Sequence, residues 1–131
     1  MNTNKYTQKT LEAVQDAQSI AQQNGNVELT TLHILHGLLS DEEGFVTQVL
    51  TSSGADVNGL LDEVTRQIER LPKMSGNAQV YLSAEANNVL NAAEAKADEM
   101  KDEYVSVEHV MMAVFEKGKS VAETLARYGA N

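Results

Sequence analysis

The sequence predicts an all-α fold: two four-helix repeats related by a pseudo-twofold axis, the second cut short at its last helix. Three observations carry this. Proline occurs once, at Pro72, and aromatic residues make up 5% of the chain, so the residues that favour sheets are scarce. Apolar residues recur at the three- and four-residue spacing that lines one face of a helix. Caps, core positions and helix stops recur in the same order about 76 residues apart, the distance from His33 to His109.

The first helix is expected from Tyr6 to Asn24, with Leu11, Val14, Ala17 or Gln18, and Ala21 on its apolar face. Thr7 offers a hydroxyl to an unpaired amide of the first turn, and Gly25 can take the left-handed conformation that ends the helix. Thr30 caps a second helix over residues 31–40, apolar through Leu32, Ile34, Leu35, Leu38 and Leu39 and therefore largely buried. A solvated Asp41-Glu42-Glu43-Gly44 turn follows. A short helix then runs over 45–53 and stops at Gly54, and a fourth over 57–70 presents Leu60, Leu61, Val64 and Ile68. Pro72 ends that helix, because it lacks an amide donor and restricts Leu71 before it. Residues 72–80 read as a connector. Ser83 then caps a helix to about residue 101, Ser106 caps one over 107–116, and the last runs over 120–128 to Gly129.

The repeat pairs Thr7 with Ser83, Ala17 with Ala93, Ala21 with Ala97, Thr30 with Ser106 and His33 with His109. After one deletion it pairs Val46 with Val121, Leu50 with Leu125 and Gly54 with Gly129. Apolar residues stay opposite apolar ones, as in Leu29 with Val105 and Ile34 with Val110. Two unrelated amphipathic segments would not reproduce caps, core and stops in register. The expected organisation is one domain over 1–131, with repeat one about 6–71 and repeat two about 81–131. The chain ends where the eighth helix would begin, so it reads as a piece of something longer.

Composition narrows the function. The chain has 131 residues, 42% hydrophobic, enough for one modest core. Cysteine is absent, which excludes disulfides and cysteine metal sites. No apolar run approaches the ~20 residues of a membrane span, and the opening Met1-Asn2-Thr3-Asn4-Lys5 lacks the apolar stretch of a secretion signal. The cytoplasm is the expected compartment. With 19 acidic and 10 basic residues the net charge is -9, a field that repels phosphate backbones, so no nucleic-acid partner is expected. No phosphate-cradling loop of the Gly-x-x-x-x-Gly-Lys type is present, and no local motif suggests a catalytic triad.

The segments Thr30-Thr31-Leu32-His33-Ile34-Leu35 and Ser106-Val107-Glu108-His109-Val110-Met111, set in a helical tandem repeat, resemble the Clp N-terminal domain family. The connector Leu71-Pro72-Lys73-Met74-Ser75-Gly76, followed by Val80-Tyr81-Leu82-Ser83, and the opening Lys5-Tyr6-Thr7 are most similar to its ClpB-type members, the disaggregase chaperones. The resemblance implies a non-catalytic, monomeric domain that engages unfolded or aggregated polypeptide through a shallow apolar groove. It implies delivery of that polypeptide to the protein's own AAA+ modules in a hexamer, where ATP and magnesium act; no cofactor is expected in this chain. The alternative within the family is an adaptor-docking domain of a ClpC- or ClpA-type unfoldase. A hydrolase with an unrecognised site is the alternative from another class.

By motif position the resemblance implies substrate-binding roles for Thr7, Leu90, Asp102, Glu108 and His109. It places Leu90 exposed on the groove and His109 where some relatives carry an apolar residue. Each has a plainer explanation. Thr7 is a helix cap, Asp102 a solvated turn residue, and Glu108 a first-turn carboxylate favoured by the helix dipole. His33 and His109, at matching helix starts, suit a packing or capping role shared by both halves. His33 and His36 lie three apart, yet they lack the further ligands that a structural metal needs.

Overall fold

The computed structural model describes residues 3–74 and 79–131. After a single 3-10 turn at Thr3–Lys5, the described residues form α1 (Gln8–Gln23), β1 (Glu28–Leu29), α2 (Thr31–Leu39), α3 (Phe45–Ser52), α4 (Val57–Glu69), β2 (Tyr81–Leu82), α5 (Ala84–Glu99), α6 (Val107–Lys117) and α7 (Lys119–Arg127). The fold is all-α, with one small parallel sheet. Of the expected connector, Pro72–Met74 and Gln79–Val80 are described; Ser75, Gly76, Asn77 and Ala78 lie outside the described residues.

The helix starts follow the caps. Thr7 is extended and its hydroxyl oxygen accepts from the Thr10 amide at 3.2 Å; Ser83 does the same for the Ala86 amide at 3.0 Å. Each cap opens a helix of 16 residues. Both helices then leave through a left-handed residue, Gly25 (φ 68°) and Lys101 (φ 58°), which stand at equivalent places in the repeat. Gly54 and Gly129 likewise close α3 and α7 with positive φ.

The pseudo-twofold relation is visible in the backbone pairings. Leu82 pairs in parallel with Leu29, and Tyr6 pairs in parallel with Val105. Residue 82 corresponds to residue 6, and residue 105 to residue 29. Exchanging the halves therefore exchanges the two pairings. The β1–β2 sheet is absent from the expected elements. Its strands are two residues long and distant in the chain, too short for an alternating pattern to register.

The core centres on α2, where every residue except His36 is buried. Burying its Leu32, Ile34, Leu35, Leu38 and Leu39 contributes about 1.5–3 kcal/mol each. Gly37 lets α2 lie against α1 so closely that a Cβ there would overlap the Ala13 carbonyl. Helix α4 has no counterpart in the second half. It is capped by Asp56, whose carboxylate accepts from the Gly59 amide at 3.0 Å, and tied to α7 by Gln67 Nε2 donating to Thr124 Oγ1 at 2.9 Å.

Candidate functional site

The helix-start motifs fix their histidines. The Thr30 amide donates to His33 Nδ1 at 2.8 Å, and the Ser106 amide donates to His109 Nδ1 at 2.9 Å. A ring nitrogen that accepts from an amide carries no hydrogen, so in each histidine Nε2 holds the proton. His33 Nε2 donates to Asn26 Oδ1 at 2.9 Å, and His109 Nε2 donates to Asp102 Oδ2 at 2.8 Å. Asn26 and Asp102 are themselves equivalent in the repeat. The capping role expected for both histidines holds: each replaces the Glu or Gln of a capping box. Burial of His33, followed by the nearby His36, pushes its pKa down to about 4, so it is neutral at pH 7.

Of the residues expected at the groove, Thr7, Asp102, Glu108 and His109 gather around the Tyr6–Val105 pairing. The Thr7 amide donates to the Val105 carbonyl at 3.1 Å, and Thr10 Oγ1 donates to the same carbonyl at 2.9 Å. Thr10 has thereby spent its hydrogen, so in the 2.8 Å Thr7–Thr10 pair the Thr7 hydroxyl is the donor. The Thr7 side chain is fully used in holding the start of α1. Asp102 and Glu108 are exposed, and the half-exposed Tyr104 and Met100 lie along the same stretch. His109 is 3% exposed, so the structure removes it from any open groove; capping α6 requires the ring inside.

The expectation of an exposed Leu90 also fails. Leu90 is 2% exposed, because position 90 of α5 lies on the helix face that packs into the core with Ala86, Val89 and Ala93. It does help line an open slot of about 310 Å3. Val14 and Gln18 of α1, Leu29 of β1, Ile34 of α2 and Leu82 of β2 complete most of that wall. Among the described residues no side chain lining the slot is ionisable. Leu82, 39% exposed, stands at its β2 edge, and Met74 is a further exposed apolar side chain near Gly25. The slot sits at the Leu29–Leu82 pairing, so Leu90 is not brought together with Asp102 and Glu108. Sequence reasoning missed the slot. The signal was the mismatch of Tyr6 with Leu82 at equivalent positions.

A larger cleft of about 660 Å3 lies between α1, the α2–α3 loop and the start of α6. It is lined by one cation, Lys9, and four carboxylates, Glu12, Asp16, Asp41 and Glu43. Lys9 Nζ stands 3.8 Å from Glu12 and 3.7 Å from Asp41, and His36 Nδ1 is 2.6 Å from Asp16. Its lining is therefore charged where the slot's is not. Neither His33 nor His36 has a ring nitrogen aimed at a shared third ligand, and no cluster of three or more metal-ligating side chains occurs among the described residues.

Comparison with known proteins then decides the family. The model of the Clp repeat (R) N-terminal domain matches residues 5–128. The chain belongs to that family. It is 39% identical to the chaperone protein ClpB of Bacteroides thetaiotaomicron over 132 aligned positions, covering 98% of the chain and 15% of that relative. The chain spans 15–16% of the length of the first curated relatives it matches. Among solved structures, the Hsp104 N-terminal domain from Candida albicans matches with a TM-score of 0.87 at 20% identity, covering 96% of this chain and 83% of that one. A ClpV N-domain in complex with a VipB peptide matches with a TM-score of 0.79 at 16% identity, covering 98% and 80%. Within this Clp repeat chain no described helix is long and apolar enough to cross a membrane.

Proposed function

We propose that this chain is the polypeptide-engaging N-terminal domain of a ClpB-type disaggregase, that it works in the cytoplasm, and that it performs no chemistry of its own. The observation that carries the reading is the slot at the Leu29–Leu82 pairing, lined by uncharged described residues and edged by the part-exposed Leu82, on a molecule with a net charge of -9. An apolar opening on an otherwise strongly charged surface suits the apolar side chains that unfolding exposes. Identity to ClpB chains and the peptide held by a related ClpV N-domain favour the same reading. In the full-length protein, held polypeptide would pass to ATPase modules beyond this chain. Thr7 acts as a structural cap in this account, while Asp102 and Glu108 form a polar rim on the opposite pairing.

A groove that accepts many clients fits none closely, and ordering a flexible chain costs entropy. The expected dissociation constant for an unfolded protein is about 10 μM or weaker. Binding should survive raised salt, because apolar contact is not screened as surface charge is. The test is amide chemical-shift mapping of the chain during titration with a permanently unfolded model protein. Shifts concentrated at Gln18, Leu82 and their neighbours are expected. Absence of binding at millimolar concentration would sink the proposal.

A further inference from the structure

The Tyr6–Val105 pairing holds a template for what the slot would accept. Tyr6 and Leu82 occupy equivalent positions, each paired in parallel with the residue just before the N-cap of a histidine-capped helix. Tyr6 is 4% exposed, and its ring reaches across to α5, where the hydroxyl donates to Glu94 Oε2 at 3.1 Å. The α1 counterpart of Glu94 is Gln18, which lines the slot. Leu82 has a shorter side chain and does not span that distance. It remains 39% exposed and leaves about 310 Å3 open. Where one pairing holds a tyrosine ring, the described residues of the other leave an open place at equivalent positions.

We infer that this slot takes one aromatic side chain, tyrosine or phenylalanine, from an extended segment of unfolded polypeptide. The inference rests on the polypeptide-binding reading above. The ring lies as Tyr6 lies against α5, with its tip at Gln18. Charge argues for the same occupant. Among the described residues the slot's lining has no ionisable group, so an entering lysine, arginine, aspartate or glutamate would lose hydration without gaining a counter-ion. A ring gains apolar burial at no such cost. Gln18 is exposed and neutral, so it can accept from a phenol hydroxyl yet stays solvated beside a phenylalanine. Glu94, an acceptor only when ionised, has no such tolerance.

The test uses the whole 131-residue chain and short, uncharged, otherwise identical peptides with tyrosine, phenylalanine, leucine, alanine or lysine at one central position. The tyrosine and phenylalanine peptides should bind roughly tenfold tighter than the alanine peptide. The lysine peptide should bind no tighter than alanine, and shifts should centre on Gln18, Leu82 and Leu90. Leu82→Tyr should plug the slot with the chain's own ring and abolish the aromatic preference while the melting temperature holds or rises. Gln18→Glu, on an exposed position that leaves the core untouched, should favour tyrosine over phenylalanine by several-fold, as a single charged acceptor does. Equal binding of aromatic and alanine peptides overturns the inference, as does an aromatic preference that persists in a folded Leu82→Tyr chain. If an unfolded protein binds while the aromatic peptides show no preference, the slot assignment fails and the polypeptide-binding reading stands. If neither binds, both fall.

Discussion

The first half of the molecule is open at places where the second half is closed, although the two share one backbone plan. Tyr6, reaching from the first half onto α5, fills the place equivalent to the one that Leu82, reaching from the second half, leaves open beside α1. Glu85 stands where the first half has Lys9. Its carboxylate accepts from the Ser120 amide at 3.1 Å and from the hydroxyls of Ser120 and Thr31, pinning the start of α7 against α2. Burial pushes the Glu85 pKa up, but those three donors outweigh it and hold the carboxyl below its usual value. Lys9 makes only exposed ion pairs at 3.7–3.8 Å, which contribute little. Helices α6 and α7 join through Gly118 alone, whereas α2 and α3 are separated by residues 40–44, which border the larger cleft. Single side-chain differences at equivalent positions therefore decide where this fold is sealed and where it can receive something.

The largest expected effect comes from a buried position that is glycine in one half and alanine in the other. Gly37 in α2 corresponds to Ala113 in α6, and both are buried. A Cβ at Gly37 meets the backbone of Ala13, which cannot rotate away. Gly37→Ala should therefore cost about 3 kcal/mol. Ala113→Gly, which removes a methyl and loosens a helix, should cost about 1 kcal/mol. Denaturant midpoints of the two variants check this. Equal losses would mean that α1–α2 and α5–α6 pack at the same distance after all.

The paired histidines sharpen the comparison by pH. His33 is neutral in the folded state with a pKa near 4, below the value of about 6.5 expected when unfolded. Between those values the unfolded chain binds the extra proton, so this group's contribution falls as pH falls through that window. By pH 5 the loss from His33 should be about 2 kcal/mol. His33→Gln keeps a side-chain acceptor at the third helix position and cannot titrate. The difference in unfolding free energy between wild type and this variant should therefore shrink on acidification from pH 7 to 5. A constant difference would mean that His33 is protonated without penalty in the fold.

Much of this fold could be read from the residues because local chemistry dictated it. Thr7, Ser83, Thr30 and Ser106 sit at the N-caps, and the apolar spacing gave each helix to within two residues or so at either end. The site was less legible. Leu90 falls on one helical stripe with Ala93 and Ala97 and repeats Val14, a spacing that points to the core; its exposed placement comes from the resemblance alone, and the burial agrees with the spacing. The partnership of His109 with Asp102 spans seven residues and a left-handed turn at Lys101, which no periodicity encodes. The slot depends on how far one side chain reaches across a pairing between strands two residues long. Spacing along a chain reports faces of elements; it does not report the depth of the space between them.

The smallest expected effect isolates the backbone from the side chains. Gly25 and Lys101 end the equivalent helices α1 and α5 with φ of 68° and 58°. At Gly25 the left-handed conformation is free of penalty, and the glycine is also needed for space, since a Cβ there would approach the Met74 carbonyl to 3.3 Å. Lys101 adopts the same conformation against the clash of its own Cβ with the backbone, a strain of about 1–2 kcal/mol. Its side chain is exposed and forms no hydrogen bond or ion pair among those described, so removing it forfeits little in the fold. Glycine gives back part of the gain through a freer unfolded chain. Lys101→Gly should thus stabilise the protein by about 0.5–1 kcal/mol, read as a rise of roughly 2–4 °C in Tm. Gly25→Ala should move Tm the other way, and by more, because it meets both the strain and the Met74 carbonyl. If Lys101→Gly lowered Tm instead, the lysine would have to hold the α5–α6 turn through its charge, and the two halves would differ in what ends a helix as well as in what fills a cleft.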